Sequence, residues 1–450
     1  MHYSFDGKEH FEETWTFPCS QVPKSLSSQV VQEASKALWL MCGISYYKAA
    51  IPQEIIIKDH EISEHQAAFF EKTYLNGLGE FFYLNQIKPS IPRFPCSRVH
   101  KSSSTQVGGL SGTLIPVGGG KDSLVTVEIL KSLSSHGHTH DIFPLTTWNA
   151  GKYPFFDPML KIIDLPHITP ERKISPNLIR LNQEGALNGH VPISALWAFE
   201  SVLTALFLGK KYIAFSNESS ANEPTLFWDD LAINHQYSKT LEFEQDFQQY
   251  TRENITPDIQ YFSFLRPLTE LRIAEVFAQK CFKKYQHYFS SCNKNFRFTK
   301  AKNTSDRFIW CADCPKCAFI ACIFAPFIPK ADLIELFGGN PFEKESITQH
   351  FPELMGLVDT KPFDCVGEVA EVRQALLMAY QSGNYPELET WIGQIKWLSS
   401  SDLIGGSRKS KNLDSRAKPE NENNTYDYKA LRPHSMLEAF FEVLTSAMKG

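Results

Sequence analysis

A run of small and polar residues stands between an apolar segment and a helical pattern. Residues 114–117 are apolar, and the leucines and valines after residue 123 have helical spacing. The residues between these two segments are Gly118, Gly119, Gly120, Lys121, Asp122 and Ser123. Glycines let the backbone turn tightly around an anion, and the free N–H groups and dipole at a helix start attract negative charge. The pattern therefore predicts a phosphate-binding turn. The alternative is an ordinary glycine-rich turn.

The order of residues distinguishes this turn from a Walker A loop, which needs Gly-Lys-Ser or Gly-Lys-Thr. Here Gly120 and Lys121 are followed by Asp122. The turn resembles the Ser-Gly-Gly-x-Asp-Ser loop of the PP-loop ATP pyrophosphatases, and it departs from that pattern where Gly118 replaces Ser. The resemblance implies that ATP is cleaved between its α- and β-phosphates and that the loop holds the pyrophosphate.

Two side chains of the turn have open roles. Asp122 is interpreted either as a Mg²⁺ ligand or as a cap of the following helix. Lys121 is assigned with the loop to ATP binding, and the alternative is a side chain that is only solvated.

Cysteines are clustered in the second half of the chain. Cys311, Cys314 and Cys317 are separated by two residues each. Thiolates at this spacing can converge on one tetrahedral metal ion, which needs a fourth ligand. Cys292 is our choice, and Cys322 is the alternative, although its apolar surroundings are typical of a core thiol. The arrangement resembles the zinc site after the PP-loop domain in enzymes of the 7-cyano-7-deazaguanine synthase type, so we expect structural Zn²⁺. An iron–sulfur cluster and a metal-free cluster are the alternatives.

Further polar residues coincide with predicted turns. His190 stands before Pro192 at a predicted strand-to-helix turn, and Asn217 and Glu218 follow the predicted strand that ends at Phe215. Ligands of parallel sheets bind at the carboxyl ends of the strands, which favours active-site roles for these residues. The alternatives are a satisfied histidine and an exposed polar loop.

Another group of reactive side chains surrounds Pro362. It consists of Lys361, Asp364, Cys365 and Glu368, and we call residues 361–368 the Cys365 loop. Cys365 is interpreted as an acid or base, and the alternative is an inert buried thiol.

Strands and helices alternate from residue 114 onwards. Strands are predicted over residues 114–117, 141–147, 178–181, 212–215 and 259–264, and helices over residues 192–207 and 268–278. Such alternation predicts a parallel sheet covered on both faces. The fold class is therefore α/β. The resemblance of the glycine turn implies that the parallel-sheet domain is of the PP-loop (HUP-like) type, and we expect an N-terminal α+β domain and a helical C-terminal part with the Cys metal site.

The length of 450 residues exceeds what a single core supports, so about two or three domains are expected. We predict an N-terminal α+β substrate domain over 1–105, a PP-loop ATP-binding domain over 106–285, and a Cys-cluster and helical C-terminal domain over 286–400. Residues 401–450 are predicted to form a disordered linker, 401–428, and a terminal helix.

Composition narrows the class of function. A formal net charge of -5 disfavours a nucleic-acid partner, and the chain begins with no apolar signal segment. No apolar stretch is long enough to span a bilayer, and clustered cysteines suit a reducing compartment. A cytoplasmic location without a membrane partner is therefore expected, and the oligomeric state stays open.

Taken together, residues 30–380 resemble one family, the ATP-dependent UDP-N-acetylmuramoyl-L-alanyl-L-glutamate epimerases of the MurL type. The resemblance rests on the cysteine cluster and on residues 43–48, 76–81, 118–123, 188–192, 216–223 and 361–368. It implies inversion of the terminal L-glutamate of UDP-MurNAc-L-Ala-L-Glu through an acyl adenylate, for peptidoglycan synthesis. ATP would give AMP and diphosphate with Mg²⁺.

The resemblance also implies roles for single residues. The base that removes the α-hydrogen is expected to be His190 or a member of the Cys365 loop, with Cys365, Glu368 and Lys361 as candidates. Asn217 and Glu218 are expected to bind ATP with the loop. Another PP-loop ATP pyrophosphatase, one that amidates a substrate or modifies tRNA or a nucleobase, is the main alternative. A nucleotide-sensing module without catalysis is a third interpretation.

Overall fold

The computed structural model of the protein describes residues 1–19, 22–97, 104–134, 142–146, 156–229, 231–292, 294, 310–358, 360–395 and 426–449. The N-terminal elements are β1 (His2–Phe5), β2 (Glu9–Glu12), β3 (Thr14–Thr16), α1 (Ser28–Cys42), α2 (Ile44–Ala50), α3 (Glu64–Gly77) and α4 (Gly79–Leu84). The middle elements are β4 (Thr113–Val117), α5 (Lys121–Ser134), β5 (Ile142–Thr146), α6 (Phe156–Ile163), β6 (Glu171–Lys173), α7 (Pro176–Gln183), α8 (Ile193–Leu208), β7 (Tyr212–Phe215), β8 (Leu226–Trp228), β9 (Leu231–Ile233), α9 (Leu241–Asn254) and β10 (Gln260–Ser263). The later helices are α10 (Glu270–Lys280), α11 (Phe282–Tyr285), α12 (Pro315–Phe324), α13 (Lys330–Phe337), α14 (Glu345–Thr348), α15 (Phe351–Leu354), α16 (Val369–Gln381) and the C-terminal helix (Glu438–Lys449).

Four parallel strands form the central sheet in the order β10-β7-β4-β5. A parallel bridge from Leu145 to Ile168 adds a rudimentary strand outside β5. Counted along the chain, the spatial order is therefore 3-2-1-4-5. The order reverses between β4 and β7, and in doubly wound sheets ligands bind in the crevice outside the strand ends at such a reversal. The loops after β4 and β7 meet there.

Both faces of the sheet are covered, as the sequence predicts. Along β4, Leu114 belongs to an apolar cluster that includes residues of α1, α3, α8 and α9, whereas Ile115 points to the opposite face and belongs to a cluster that includes residues of α5, α10, α12 and α16. Along β7, Ile213 belongs to the cluster that contains Leu114, and Ala214 belongs to the cluster that contains Ile115. Because neighbouring residues of a strand point to opposite faces, an apolar run without alternation suits a strand buried on both sides. The α/β class and the parallel sheet are confirmed.

The N-terminal helices complete one of these two faces. Helix α1 packs on α8, and α3 packs on α9. The β1–β2 hairpin and β3 lie beside them, and Glu13 fixes them there, because its carboxylate accepts hydrogen bonds from Arg172 at 2.9 and 3.1 Å and from Tyr46 at 2.9 Å. The division of the chain into domains stays a prediction.

The predicted strand over residues 178–181 is wrong, since this segment lies within helix α7. Pro176 at the first helical turn favours a helix start, and Leu178 and Leu181 stand three residues apart, which places them on one helical face. His190 consequently follows a helix rather than a strand. The predicted linker over residues 401–428 lies mostly outside the described residues, but Tyr426 and Tyr428 at its end contact the body of the protein.

None of the helices in the described ranges combines the length and the apolar composition that crossing a membrane requires.

Arg266 joins the ends of β7 and β10 from a fully buried position. Its guanidinium donates to the backbone oxygens of Glu218 and Lys239 and to the carboxylate of Glu244 at 3.1 Å. A buried charge is tolerated only when it is paired and hydrogen-bonded. Arg266 therefore shapes the loops that follow the strands.

We expect Arg266→Met to lower the free energy of unfolding by about 3–5 kcal/mol, because the Glu244 carboxylate would stay buried without its cation. Urea unfolding followed by circular dichroism measures the loss. Arg180→Met is the matched control, since Arg180 pairs with Glu184 in an exposed position and its removal should change little. Equal losses in the two variants would contradict this account of Arg266.

Candidate active site

The predicted phosphate-binding turn lies between β4 and α5, at the reversal in strand order. Gly119 has a φ of +84°, a left-handed conformation that glycine adopts without strain. A side chain at Gly120 would come within 2.9 Å of the Ser291 hydroxyl. Ser290 donates its N–H to the Gly119 oxygen at 3.0 Å, and Ser123 donates its hydroxyl to the Gly120 oxygen at 3.1 Å. The turn is therefore held from both sides, and α5 points its N-terminus at the crevice.

Lys121 is not solvated, which corrects that alternative. Its ammonium group is completely buried and pairs with the carboxylates of Asp122 and Glu270. Burial lowers the pKa of a lysine, but the two carboxylates outweigh it and raise the pKa of Lys121 above its usual value. Lys121 therefore links α5 to α10 from beneath the phosphate turn.

Carboxylates converge beside the turn. Desolvation raises the pKa of Asp122, which Lys121 opposes, and the negative charges of Glu270 and Glu218 raise it further. Glu218 and Asn217 follow β7 and are buried, and the Asn217 amide donates to the Ser263 hydroxyl at 2.9 Å. Acidic oxygens that crowd one another are a suitable environment for a divalent cation.

A second set of reactive groups surrounds Cys365. Lys239 donates its ammonium group to the Cys365 sulfur at 3.4 Å, and the ring of His235 lies close enough to the same sulfur to lower its pKa. On its other side, His235 binds Glu80 through Nδ1. Lys316 donates to the backbone oxygen of Cys365. Cys365 thus has three cationic or potentially cationic neighbours.

These contacts change the protonation of the pair. Burial alone would raise the pKa of the Cys365 thiol, but Lys239, His235 and Lys316 lower it to about 7. Burial would lower the pKa of His235, but its hydrogen bonds to Cys365 and Glu80 and their negative charges raise it to about 10. At neutral pH, His235 is an imidazolium ion and Cys365 is thiolate to a substantial degree.

His190 lies against this pair. Its ring centroid is 4.5 Å from that of His235, and its Nδ1 is 3.5 Å from a Glu80 oxygen. Burial lowers the pKa of His190 well below its usual value, and the positive charges of His235, Lys48 and Lys239 lower it further. His190 is therefore a neutral imidazole at physiological pH. The same cations disfavour a metal ion among Glu80, His190 and His235, although their ligand atoms lie within 4.8 Å of one another.

Lys48 holds the loop that carries His190. Its ammonium group donates to the Asn188 side-chain oxygen at 2.5 Å and to the Gly189 oxygen at 2.9 Å. Burial lowers the pKa of Lys48 to about 8. The side chains of Tyr46 and Tyr47, the two residues before Lys48, are buried in the core.

Lys361 and Glu368 are placed apart from the Cys365 sulfur by their own contacts. The Lys361 ammonium group pairs with Glu223 at 2.5 Å. The Glu368 side chain caps the start of α16 and accepts the Tyr426 hydroxyl at 2.9 Å. Both residues therefore fix the ends of the Cys365 loop.

The four predicted metal ligands are brought together. The sulfur atoms of Cys292, Cys311, Cys314 and Cys317 lie within 4.8 Å of one another. Cys322 lies in the buried core of α12 and outside this group. The structure thus places Cys292, rather than Cys322, beside the other three sulfurs, and the set of four thiols fits a tetrahedral ion.

Four residues of the candidate active site were not predicted from the sequence. Glu80 lies in residues 76–81, which contributed to the family resemblance without an assigned role. Lys316 is one of the spacer residues of the cysteine cluster. His235 and Lys239 stand in the connection between β9 and α9, where no local spacing marks them.

Alkylation of Cys365 by iodoacetamide should accelerate as the pH rises through about 7, because the thiolate is the reacting form. In His235→Gln the rise should move to higher pH, since the thiolate loses its imidazolium partner. Mass spectrometry of peptides from timed reactions resolves each thiol. Cys322 is the internal control, because burial raises its pKa and should keep it unreactive. An unchanged pH profile in His235→Gln would contradict the assigned pairing.

Comparison with known proteins identifies the family. The MurL N-terminal domain matches residues 1–264, and the MurL C-terminal domain matches residues 288–393. A protein of Xanthomonas oryzae pv. oryzae, named UDP-N-acetyl-alpha-D-muramoyl-L-alanyl-L-glutamate epimerase, is 35% identical over 390 residues, which cover 86% of this chain and 83% of that relative.

Two relatives with the same name come from other bacteria. The protein of Micromonospora sp. is 34% identical over 84% of this chain and 81% of its own length. That of Salinispora tropica is 34% identical over 84% of this chain and 80% of its own length. From the two domain matches and the extent of these alignments, the chain belongs to the MurL family.

Proposed function

We propose that this protein epimerises the terminal L-glutamate of UDP-MurNAc-L-Ala-L-Glu to D-glutamate, in the synthesis of peptidoglycan precursors. ATP is consumed to AMP and diphosphate. The observation that carries the proposal is the set of buried charges, Lys121, Glu270 and Lys316, that joins the glycine turn before α5 to the backbone of Cys365. The names of the three relatives support the substrate. Because ATP and UDP-sugars are cytoplasmic metabolites, we also propose that the protein acts in the cytoplasm.

The consumption of ATP has a physical reason. Removing the α-hydrogen beside a carboxylate would put a second negative charge on the same group. In a dipeptide the neighbouring nitrogen is a neutral amide, so no ammonium group offsets that charge. Conversion of the carboxylate to an acyl adenylate removes its charge and makes the carbonyl a better electron acceptor, so that a modest base suffices.

The phosphate turn is the proposed site of ATP. The sheet order 3-2-1-4-5, with the turn at the reversal, supports a relation to the PP-loop (HUP-like) enzymes. The free N–H groups at the start of α5 would bind diphosphate. Replacement of the family Ser by Gly118 removes one hydroxyl but leaves the backbone donors.

Mg²⁺ is the proposed metal ion at this site. Asp122 and Glu218 offer carboxylates whose mutual repulsion a cation relieves. Asn217 lies beside them. When bound, the ion would neutralise phosphate charge, and Lys121 acts beneath the turn by holding Asp122 in place.

His190 and Cys365 are the proposed proton-transfer candidates, because both belong to the cluster around His235 and both have an unprotonated form at neutral pH, the neutral imidazole of His190 and the thiolate of Cys365. Lys361 and Glu368 are proposed as positioning residues, since Lys361 is paired with Glu223 and Glu368 caps α16.

Wild-type protein incubated with ATP, Mg²⁺ and the dipeptidyl UDP-sugar should release AMP and diphosphate. In deuterated water the D product should carry deuterium at the glutamate α-carbon, and exchange should require ATP. Chromatography of the nucleotides and mass spectrometry of the product measure both. ADP and phosphate as products would overturn the ATP pyrophosphatase assignment, and a D product without deuterium would overturn proton removal.

Asp122→Asn provides the matched test of the phosphate turn. It keeps the size of the side chain but removes a carboxylate, so ATP turnover should fall by about 100-fold or more, the scale typical for loss of an electrostatic contact in an active site. Asp157→Asn is the control, because Asp157 is exposed on α6. Retention of full turnover in Asp122→Asn would remove this residue from the proposed Mg²⁺ site.

Zn²⁺ is the proposed occupant of the four-cysteine cluster, as a structural ion with no open coordination position. Elemental analysis of fresh protein should find one Zn²⁺ per chain. Cys314→Ser should lose the metal and lower the thermal unfolding midpoint, whereas Cys322→Ser should keep the metal. A fresh preparation without metal, or equal metal loss in both variants, would contradict the assignment.

A further inference from the structure

His235 stands between a thiol and a carboxylate. Its Nδ1 binds the Glu80 carboxylate, and its ring lies close enough to the Cys365 sulfur, which Lys239 contacts at 3.4 Å, to lower the pKa of the thiol. A sulfur nucleophile, an imidazole and an orienting carboxylate in this sequence of contacts form the arrangement that activates cysteine for acyl transfer. A base that only removes a proton from carbon does not need the third member.

We propose that Cys365 attacks the acyl adenylate and holds the glutamyl group as a thioester, and that epimerisation takes place on this acyl-enzyme. The inference rests on the proposed function, because the adenylate supplies the acyl group. It changes the role of Cys365 from a base to a nucleophile and leaves proton removal to His190.

The bonds and protons balance as follows. The Cys365 thiolate forms a bond to the acyl carbon, and the bond from that carbon to the AMP oxygen breaks, so AMP leaves with the electron pair. His190 then removes the α-hydrogen, and the charge moves to the thioester oxygen. A proton from solvent returns to the opposite face of the α-carbon. Water hydrolyses the thioester, which releases the D product and restores the thiol, and His190 returns its proton to solvent.

The location of Cys365 suits attack on the adenylate. Lys316 donates to the Cys365 backbone oxygen and lies 3.7 Å from Glu270, which in turn pairs with Lys121 of the phosphate turn. Burial lowers the pKa of Lys239, but the negative charges of Cys365, Glu218 and Asp122 raise it above its usual value. The sulfur and the proposed phosphate site therefore belong to one continuous network of charges.

Lys239 can act both before and after the thioester forms. Lys239, at 3.4 Å from the sulfur, balances the thiolate before attack. Once the sulfur is acylated its charge is gone, and the ammonium group is left beside the thioester. It can then stabilise the oxygen on which enolate charge develops.

His190 is suited to act as the base. It is a neutral imidazole next to His235, and Glu80 lies 3.5 Å from its Nδ1 and can stabilise the imidazolium ion that proton removal creates. Lys48 fixes the loop that carries it. Two histidines in contact thus have different tasks, one permanently charged and one that accepts a proton.

The test uses full-length His190→Gln with ATP, Mg²⁺ and UDP-MurNAc-L-Ala-L-Glu, stopped with acid within one turnover. Glutamine keeps a polar side chain but cannot accept the proton, so D product should fall about 100-fold or more. Acyl transfer should continue, so a large fraction of the chains should carry an added mass equal to the substrate minus water. Peptide mapping should place it on Cys365, and hydroxylamine should remove it.

Two variants and the wild-type enzyme make the outcome decisive. Cys365→Ala should lose the adduct while still releasing diphosphate in the first turnover, because the adenylate forms before the sulfur attacks, and Cys96→Ser, which changes an exposed thiol, should retain the adduct. Rapid acid quench of the wild type should trap a smaller amount on Cys365. AMP and D product formed without any adduct on Cys365 would overturn the thioester and leave the proposed function intact. No AMP from the wild type would overturn both.

Discussion

Three charges buried together underlie the arrangement of the active site. Lys121, Glu270 and Lys316 come from the start of α5, the start of α10 and the start of α12, and all three side chains are almost completely buried. Charges removed from water must be paired, and the loss of one partner leaves the others uncompensated. The network therefore fixes three helix starts relative to one another. Helix α5 carries the phosphate turn, and Lys316 of α12 donates to the Cys365 backbone. The buried ion pairs therefore hold the phosphate turn and Cys365 in fixed positions relative to each other.

The same principle gives two neighbouring histidines opposite properties. Burial alone lowers the pKa of both His190 and His235. For His235 the thiolate of Cys365 and the carboxylate of Glu80 reverse the effect. The positive charge thus placed on His235 then lowers the pKa of His190 further, because like charges 4–6 Å apart disfavour each other. A single buried cluster therefore contains a charged imidazolium and a neutral imidazole. Burial is the main cause of the lowered pKa of His190, and the charge of His235 adds to it.

Local patterns in the sequence predicted what local structure determines. The glycine turn between β4 and α5, the parallel strands and the clustering of Cys311, Cys314 and Cys317 depend on residues close together in the chain. The structure shows each of these local arrangements, whereas phosphate binding at the turn stays a prediction. His235, Glu80 and Lys316 were missed because their roles arise only when segments far apart in the chain are packed together, 155 residues for His235 and Glu80 and 49 residues for Lys316 and Cys365. The burial of Lys121 was missed for the same reason, since one of its two acidic partners is Glu270. The strand wrongly placed over residues 178–181 had too few apolar residues to separate a period of two from one of 3.6.

The cysteine cluster has a position that connects it to both parts of the crevice. Cys292 follows Ser290 and Ser291, which bind the Gly119 oxygen and pack against Gly120 in the phosphate turn. On the other side, Cys314 caps α12, and Lys316 stands two residues later, where it reaches the Cys365 backbone. A metal ion that ties Cys292 to Cys314 would therefore hold the phosphate turn and the Cys365 loop with one set of bonds. A structural ion at this point would help to set the distance between the phosphate turn and the Cys365 sulfur, because that distance depends on the two segments that the ion would join.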